Sequence, residues 1–170
     1  MLAALRKLAD RLIGLSTSIG ALALVFLMGV IVVDVVGRAF GSPLYGSHDI
    51  VTMFMVIVVF GAMALCDRNG GHIAVDLFEH RFPAKMNRVI DIFVATFGAL
   101  IFFAIAWATY DSAKISVMLN LSTNLLNLPK SWFQHALSLF CIVTAFGLSL
   151  RALELTLSGV DVRRDSEPET

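Results

Sequence analysis

His48, His72, His80 and His135, with Cys66 and Cys141, are the residues whose types suit metal, haem or thiol chemistry. Their spacing does not suit it. Thiol exchange needs exposed, paired cysteines. Cys66 and Cys141 form no Cys-x-x-Cys pair and fall at opposite depths of two different apolar runs, so both read as buried small hydrophobes. A haem inside a helical bundle takes facing histidines, and none of the four histidines is central in an apolar run. His48 and His135 could approach each other at one end, but no third metal ligand accompanies them. No catalytic set, cofactor or metal site is expected. Asp34 is the nearest approach to an ion-path residue. Carriers place ionisable groups at mid-membrane or break their helices with Gly and Pro. Asp34 lies toward the end of its run, and Arg38 follows on the same helix face four residues on. Two readings stay open for it: an interfacial aspartate paired within its own helix, and a contact with a partner subunit.

The elements around these residues are apolar. The chain has 170 residues, 58% hydrophobic and 15% charged, with a mean hydropathy of +0.82. Disorder needs the reverse balance. The 13 Lys+Arg are matched by 13 Asp+Glu, so no net basic field attracts nucleic acid. Two cysteines do not make a disulfide scaffold. Four stretches carry no charge: Ile13–Val33, Ile50–Cys66, Ile92–Tyr110 and Ser131–Leu150. A helix crossing a hydrocarbon core needs about 17–25 apolar residues, and each stretch qualifies. The expected architecture is all-α: an integral membrane four-helix protein with spans at about 13–36, 49–66, 91–111 and 131–151. A single membrane domain covers 1–160, and a polar tail covers 161–170. The first span is too long for a signal-peptide core and reads as a retained anchor. A further uncharged run, Ile115–Pro129, is rich in Ser, Thr and Asn and reads as an interfacial or re-entrant segment.

Two short amphipathic helices are expected in the membrane interface, at about 2–12 and 73–82. Asn69-Gly70-Gly71 provides the turn before the second, and Pro83 ends it. Lys and Arg sort the loops. Ten of the 13 lie in the N-terminus, the second loop and the C-terminus, while Arg38, Lys114 and Lys130 lie on the other side. Both termini are therefore expected to be cytoplasmic. Trp107, Tyr110 and Trp132 form an aromatic belt at the outer ends of the spans. Small residues offer close helix packing: Gly14/Ser18, Ser16/Gly20, the Gly61-Ala62-Ala64 patch, and Ala95, Gly98 and Ala99. The spans have packing surface but little polar equipment.

Three stretches carry a family resemblance. Gly37-Arg38-Ala39-Phe40-Gly41-Ser42-Pro43-Leu44, with Ser47-His48-Asp49 after it, joins the first two spans. Gly70-Gly71-His72-Ile73-Ala74-Val75-Asp76-Leu77 follows the second span, and Leu126-Asn127-Leu128-Pro129-Lys130-Ser131-Trp132 precedes the fourth. In order and spacing these resemble the small membrane subunit, DctQ-like, of tripartite ATP-independent periplasmic (TRAP) transporters. The resemblance covers roughly residues 12–155 and is most specific at Gly-Gly-His-Ile-Ala-Val-Asp. Two positions depart from the family pattern. His48-Asp49 stands where an acidic pair is common, and Ser138-Leu139-Phe140 stands where a proline is common.

The resemblance implies a non-catalytic subunit of a secondary, sodium-coupled transporter for organic acids in the bacterial inner membrane. Its implied partners are a large elevator-type membrane subunit, whose scaffold it braces, a periplasmic substrate-binding protein, and the lipid bilayer. Candidate partner-interface residues are Asp34, Arg38, Ser42, Pro43 and Asp49 at the first loop, and Gly71, His72 and Asp76 after the second span. For the second group a local helix cap is the plainer reading. Two other classes compete with this one. A stand-alone small carrier would need an essential mid-membrane carboxylate, and a membrane anchor of a redox enzyme would show a haem spectrum.

Overall fold

The computed structural model describes residues 2–68 and 84–157. They form four helices: α1 (Leu2–Ala39), α2 (Ser47–Arg68), α3 (Ala84–Met118) and α4 (Lys130–Leu157). All four are long and apolar enough to cross a membrane. In a bilayer interior no water is available to backbone N–H and C=O groups, so a spanning segment must satisfy them within itself. That requirement makes each charge-free stretch a helix. The hydroxyls within these helices follow the same rule. Thr17, Ser18, Thr52, Thr96, Thr144 and Ser149 each donate to the carbonyl four residues back, at 2.7–3.1 Å.

The segment expected as a separate interfacial helix at 2–12 is the first part of α1. No Gly, Pro or cap residue separates Leu12 from Ile13, so the helix propagates through the junction. Its 38 residues reach about 57 Å at 1.5 Å per residue, well beyond a core of about 30 Å. The helix must therefore tilt or project from the bilayer. The second expected interfacial helix, at 73–82, lies outside the described residues, as does the polar tail at 161–170.

The helix ends have identifiable causes. Ser42 N–H donates to Gly37 O at 2.8 Å and Gly41 N–H to Arg38 O at 3.1 Å, with Gly41 at φ +76°. This is a Schellman cap, and Pro43 follows it. The end of α3 repeats the arrangement. Leu121 N–H reaches Ser116 O at 2.9 Å, Asn120 N–H reaches Val117 O at 3.1 Å, and Asn120 takes the left-handed position at φ 52°. At the other end of the molecule the Arg88 guanidinium caps α4. Its Nε and Nη2 donate to Leu155 O at 3.0 and 2.6 Å, and Nη2 also donates to Thr156 O at 3.2 Å. The last carbonyls of a helix lack intrahelical partners and carry partial negative charge, which a cation satisfies.

The helices pack as two hairpins, α1 with α2 and α3 with α4. The α4 helix touches both α1 and α2, while α3 packs chiefly on α4. Between α1 and α2 the backbones approach closely at Gly20 and Gly61. A Cβ on Gly61 would lie 3.0 Å from both Gly20 Cα and Ser16 O. The Ser16/Gly20 pair and Gly61 thus meet each other. Gly14 faces open space instead. Along α3, Ala95, Ala106 and Ala113 are buried, and the Ser138 hydroxyl crosses from α4 to donate to Ala106 O at 2.9 Å. Phe26, Phe54 and Phe133 link α1, α2 and α4, with ring centroids 4.8 and 5.9 Å apart in succession. Cys141 is buried in α4, but Cys66 is exposed near the end of α2, contrary to the sequence expectation. Position, not composition, decides this. Cys66 falls beyond the stretch of α2 that meets Gly20.

Candidate functional site: fastened loops at the distal end

The end of the molecule opposite the start of α1 and the end of α4, here the distal end, gathers the α1–α2 and α3–α4 loops. Asp34 lies one turn before Arg38 in the last part of α1. Arg38 Nε donates to Asp34 Oδ2 at 2.9 Å, and Nη2 completes the ion pair at 2.9 Å from the same oxygen. The other carboxylate oxygen, Oδ1, accepts from Leu44 N–H at 3.1 Å. One carboxylate thus joins α1 to the end of its own loop. Asp34 is buried, while the Arg38 side chain is 64% exposed. Ser42 and Pro43 are exposed beside it. The turn requires Gly37, because a Cβ there would lie 2.5 Å from Ser42 O.

Asp49 performs a longer-range version of this. It lies in the first turn of α2, where the helix dipole favours an anion. Its Oδ2 accepts Leu125 N–H at 2.8 Å and Leu126 N–H at 3.0 Å, from the loop between α3 and α4. That loop is a compact hairpin. Ser122 and Pro129 form an antiparallel bridge, Thr123 N–H donates to Leu128 O at 3.0 Å, and Leu128 N–H returns to Thr123 Oγ1 at 3.0 Å. Asn127 supplies a left-handed residue at φ 53°. Gly46, at φ +75°, lets the Leu126 side chain come against the start of α2, where any Cβ would collide with it. The run Ile115–Pro129 is therefore the last turn of α3 followed by this hairpin. Its Ser122, Thr123 and Asn127 side chains take part in local hydrogen bonds.

The structure brings Asp34, Arg38, Ser42, Pro43 and Asp49 to one end of the fold, with the two aspartates buried and the other three exposed. Gly71, His72 and Asp76 lie outside the described residues. Sequence reading missed Gly46, Thr123, Leu125 and Leu126. The signal for the hairpin was present in Asn120, Asn127 and Pro129, residues that favour turns, but nothing local tied it to Asp49. On the same end, Tyr110 meets His135 edge-on at 5.8 Å, and Lys114 Nζ lies 4.6 Å over the Tyr110 ring. Trp107 and Trp132 stay exposed, as an aromatic belt requires.

These features define a multi-pass membrane protein built for packing. Its two best-placed carboxylates fasten loops and are committed to donors of the same chain. The model of the family described as "Tripartite ATP-independent periplasmic transporters, DctQ component" matches residues 27–158, and the chain belongs to that family. It is a small transmembrane component of a TRAP transporter and not an enzyme. Components of this family work with a large membrane subunit and a periplasmic binding protein. Neither a curated protein nor a solved structure matches the chain.

Proposed function

We propose that this chain is a rigid brace for the stationary scaffold of a large elevator-type subunit, in a sodium-coupled TRAP transporter of organic acids. It sits in the bacterial inner membrane with both termini cytoplasmic. The observation that carries this reading is the Asp49 fastening, which ties the two helical hairpins together at the distal end. A cytoplasmic-side counterpart is the Arg6–Glu154 pair between α1 and α4, at 3.9 Å. A frame held at both ends resists shear, which is what a fixed scaffold beside a sliding domain needs. Large apolar side chains cover the outside of this frame, among them Leu22 at 71% and Phe93 at 67% exposure. They supply surface for lipid and for the large subunit.

In this reading Arg38, Ser42 and Pro43 offer contacts to a partner on the periplasmic side, and Asp34 and Asp49 position the loops that present them. Gly71, His72 and Asp76 belong to a cytoplasmic-side contact. Arg38→Ala is expected to lower uptake, or the yield of assembled complex, severalfold, because it removes a guanidinium that both pairs with Asp34 and reaches outward. Competition among organic acids should be unchanged. Uptake assays with a substrate panel test this, and altered substrate preference would count against the brace.

A further inference from the structure

The α3–α4 hairpin carries a feature that bracing does not use. A groove of about 680 Å³ runs between the two helices, with Thr96, Leu100 and Phe103 on one wall and Ala145, Ser149 and Thr156 on the other. Its size is in the range of small-molecule sites, about 300–1,000 Å³. Its hydroxyls are neutralised as ligands to water: Thr96 and Ser149 donate to carbonyls of their own helices. The α4 residues that meet α1, namely Gly147 beside Ile13 and Glu154 beside Arg6, lie on the opposite side of that helix. The groove is therefore left open by α1. Along α4 it extends from Ile142 to Thr156, about 21 Å at 1.5 Å per residue. Half of a hydrocarbon core is about 15 Å, so the groove is long enough for the acyl chain of one leaflet.

A cation stands at its end. Arg88 Nη2 is 3.2 Å from the carbonyl of Thr156, a residue that lines the groove. The guanidinium has five donors. Nε and Nη2 serve the α4 carbonyls, and among the described residues Nη1 makes no hydrogen bond. An apolar channel ending at a guanidinium, at the end where α4 finishes, has the polarity of a phospholipid. We propose that the α3–α4 groove binds one phospholipid of that leaflet, with an acyl chain between α3 and α4 and its phosphate on Arg88. The lipid would line the open side of α3, which packs chiefly on α4.

The assembled transporter, purified in mild detergent and examined by native mass spectrometry with lipid extraction, provides the test. The wild type should retain about one phospholipid per copy of this chain after delipidation steps that strip bulk lipid. Arg88→Gln should retain at least about tenfold less, as loss of a charge-assisted phosphate contact implies. Ser149→Phe, at an exposed position, fills the groove without touching the α4 cap and should lose the lipid while the large subunit still co-purifies. Equal retention in wild type and Ser149→Phe would overturn the proposal. So would a cross-link from Ser149→Cys to the large subunit, which would assign the groove to a partner helix.

Discussion

Asp49→Ala is expected to detach the α3–α4 hairpin from α2 and to collapse the yield of assembled transporter. The carboxylate accepts two backbone N–H groups, from Leu125 and Leu126, over a sequence separation of 76–77 residues. Hydrogen bonds to a charged acceptor are stronger than neutral ones, and removal of the acceptor leaves both donors without a partner. Thr123 Oγ1, the nearby side-chain acceptor in the hairpin, already takes Leu128 N–H. Amide exchange at Leu125 and Leu126 should accelerate by roughly tenfold or more, as local opening no longer breaks that fastening. The large subunit should co-purify at a small fraction of the wild-type level. Asp49→Asn keeps an acceptor oxygen but loses the charge, and it should fall between the two. Unchanged exchange at Leu125 and Leu126 in Asp49→Ala would show that the hairpin is held by something else.

Gly61→Leu is expected to separate α1 from α2. A Cβ at Gly61 already meets Gly20 Cα and Ser16 O at 3.0 Å. Both are backbone atoms, so neither can rotate away. Overpacking typically costs about 1–3 kcal/mol, and rigid neighbours place this site at the upper end. Alanine in water gains about 1 kcal/mol over glycine in helix propensity. That gain contributes little here, since both helices persist in the membrane whether or not they associate. Gly61→Ala should therefore already be measurably destabilising, and Gly61→Leu severely so. Thermal unfolding in detergent, followed across the Ala and Leu variants, gives the order. Equal stability of all three forms would contradict the close crossing. Gly14→Leu serves as the control, since nothing among the described residues lies within 4 Å of a Cβ there.

These two sites differ in how far they could be read in advance. The four helices were legible because lipid leaves a spanning segment one backbone solution, and charge placement marks where it applies. Ser16, Gly20 and Gly61 were legible as packing residues, since small side chains invite close approach. Which of them met was not, and Gly14, of the same type and in the same helix, turned out to face outward. Asp34 and Arg38 were paired correctly from the i,i+4 rule. The second bond of Asp34, to Leu44, depends on where the Schellman cap sends the chain. Asp49 reads from the sequence as part of the outward-facing first-loop region, but its hydrogen-bond partners lie in a loop that reads by composition as an interfacial segment. Local pattern reports periodicity and caps. It carries no information about a hydrogen bond between a helix start and a hairpin two helices later. The same limit applies to the continuous α1, where an amphipathic stretch and an apolar one share a single uninterrupted helix.

A brace of this kind stays rigid while its partner moves. Arg6 and Glu154 approach within 3.9 Å between α1 and α4, so Arg6→Cys and Glu154→Cys can be joined by a short thiol cross-linker in the reconstituted transporter. The decisive measurement is substrate uptake by that complex in proteoliposomes, before and after cross-linking and after reductive release. The expected result is uptake unchanged by the cross-link. A loss of uptake on cross-linking, restored on release, would mean that α1 and α4 move against each other during transport, and would contradict the brace.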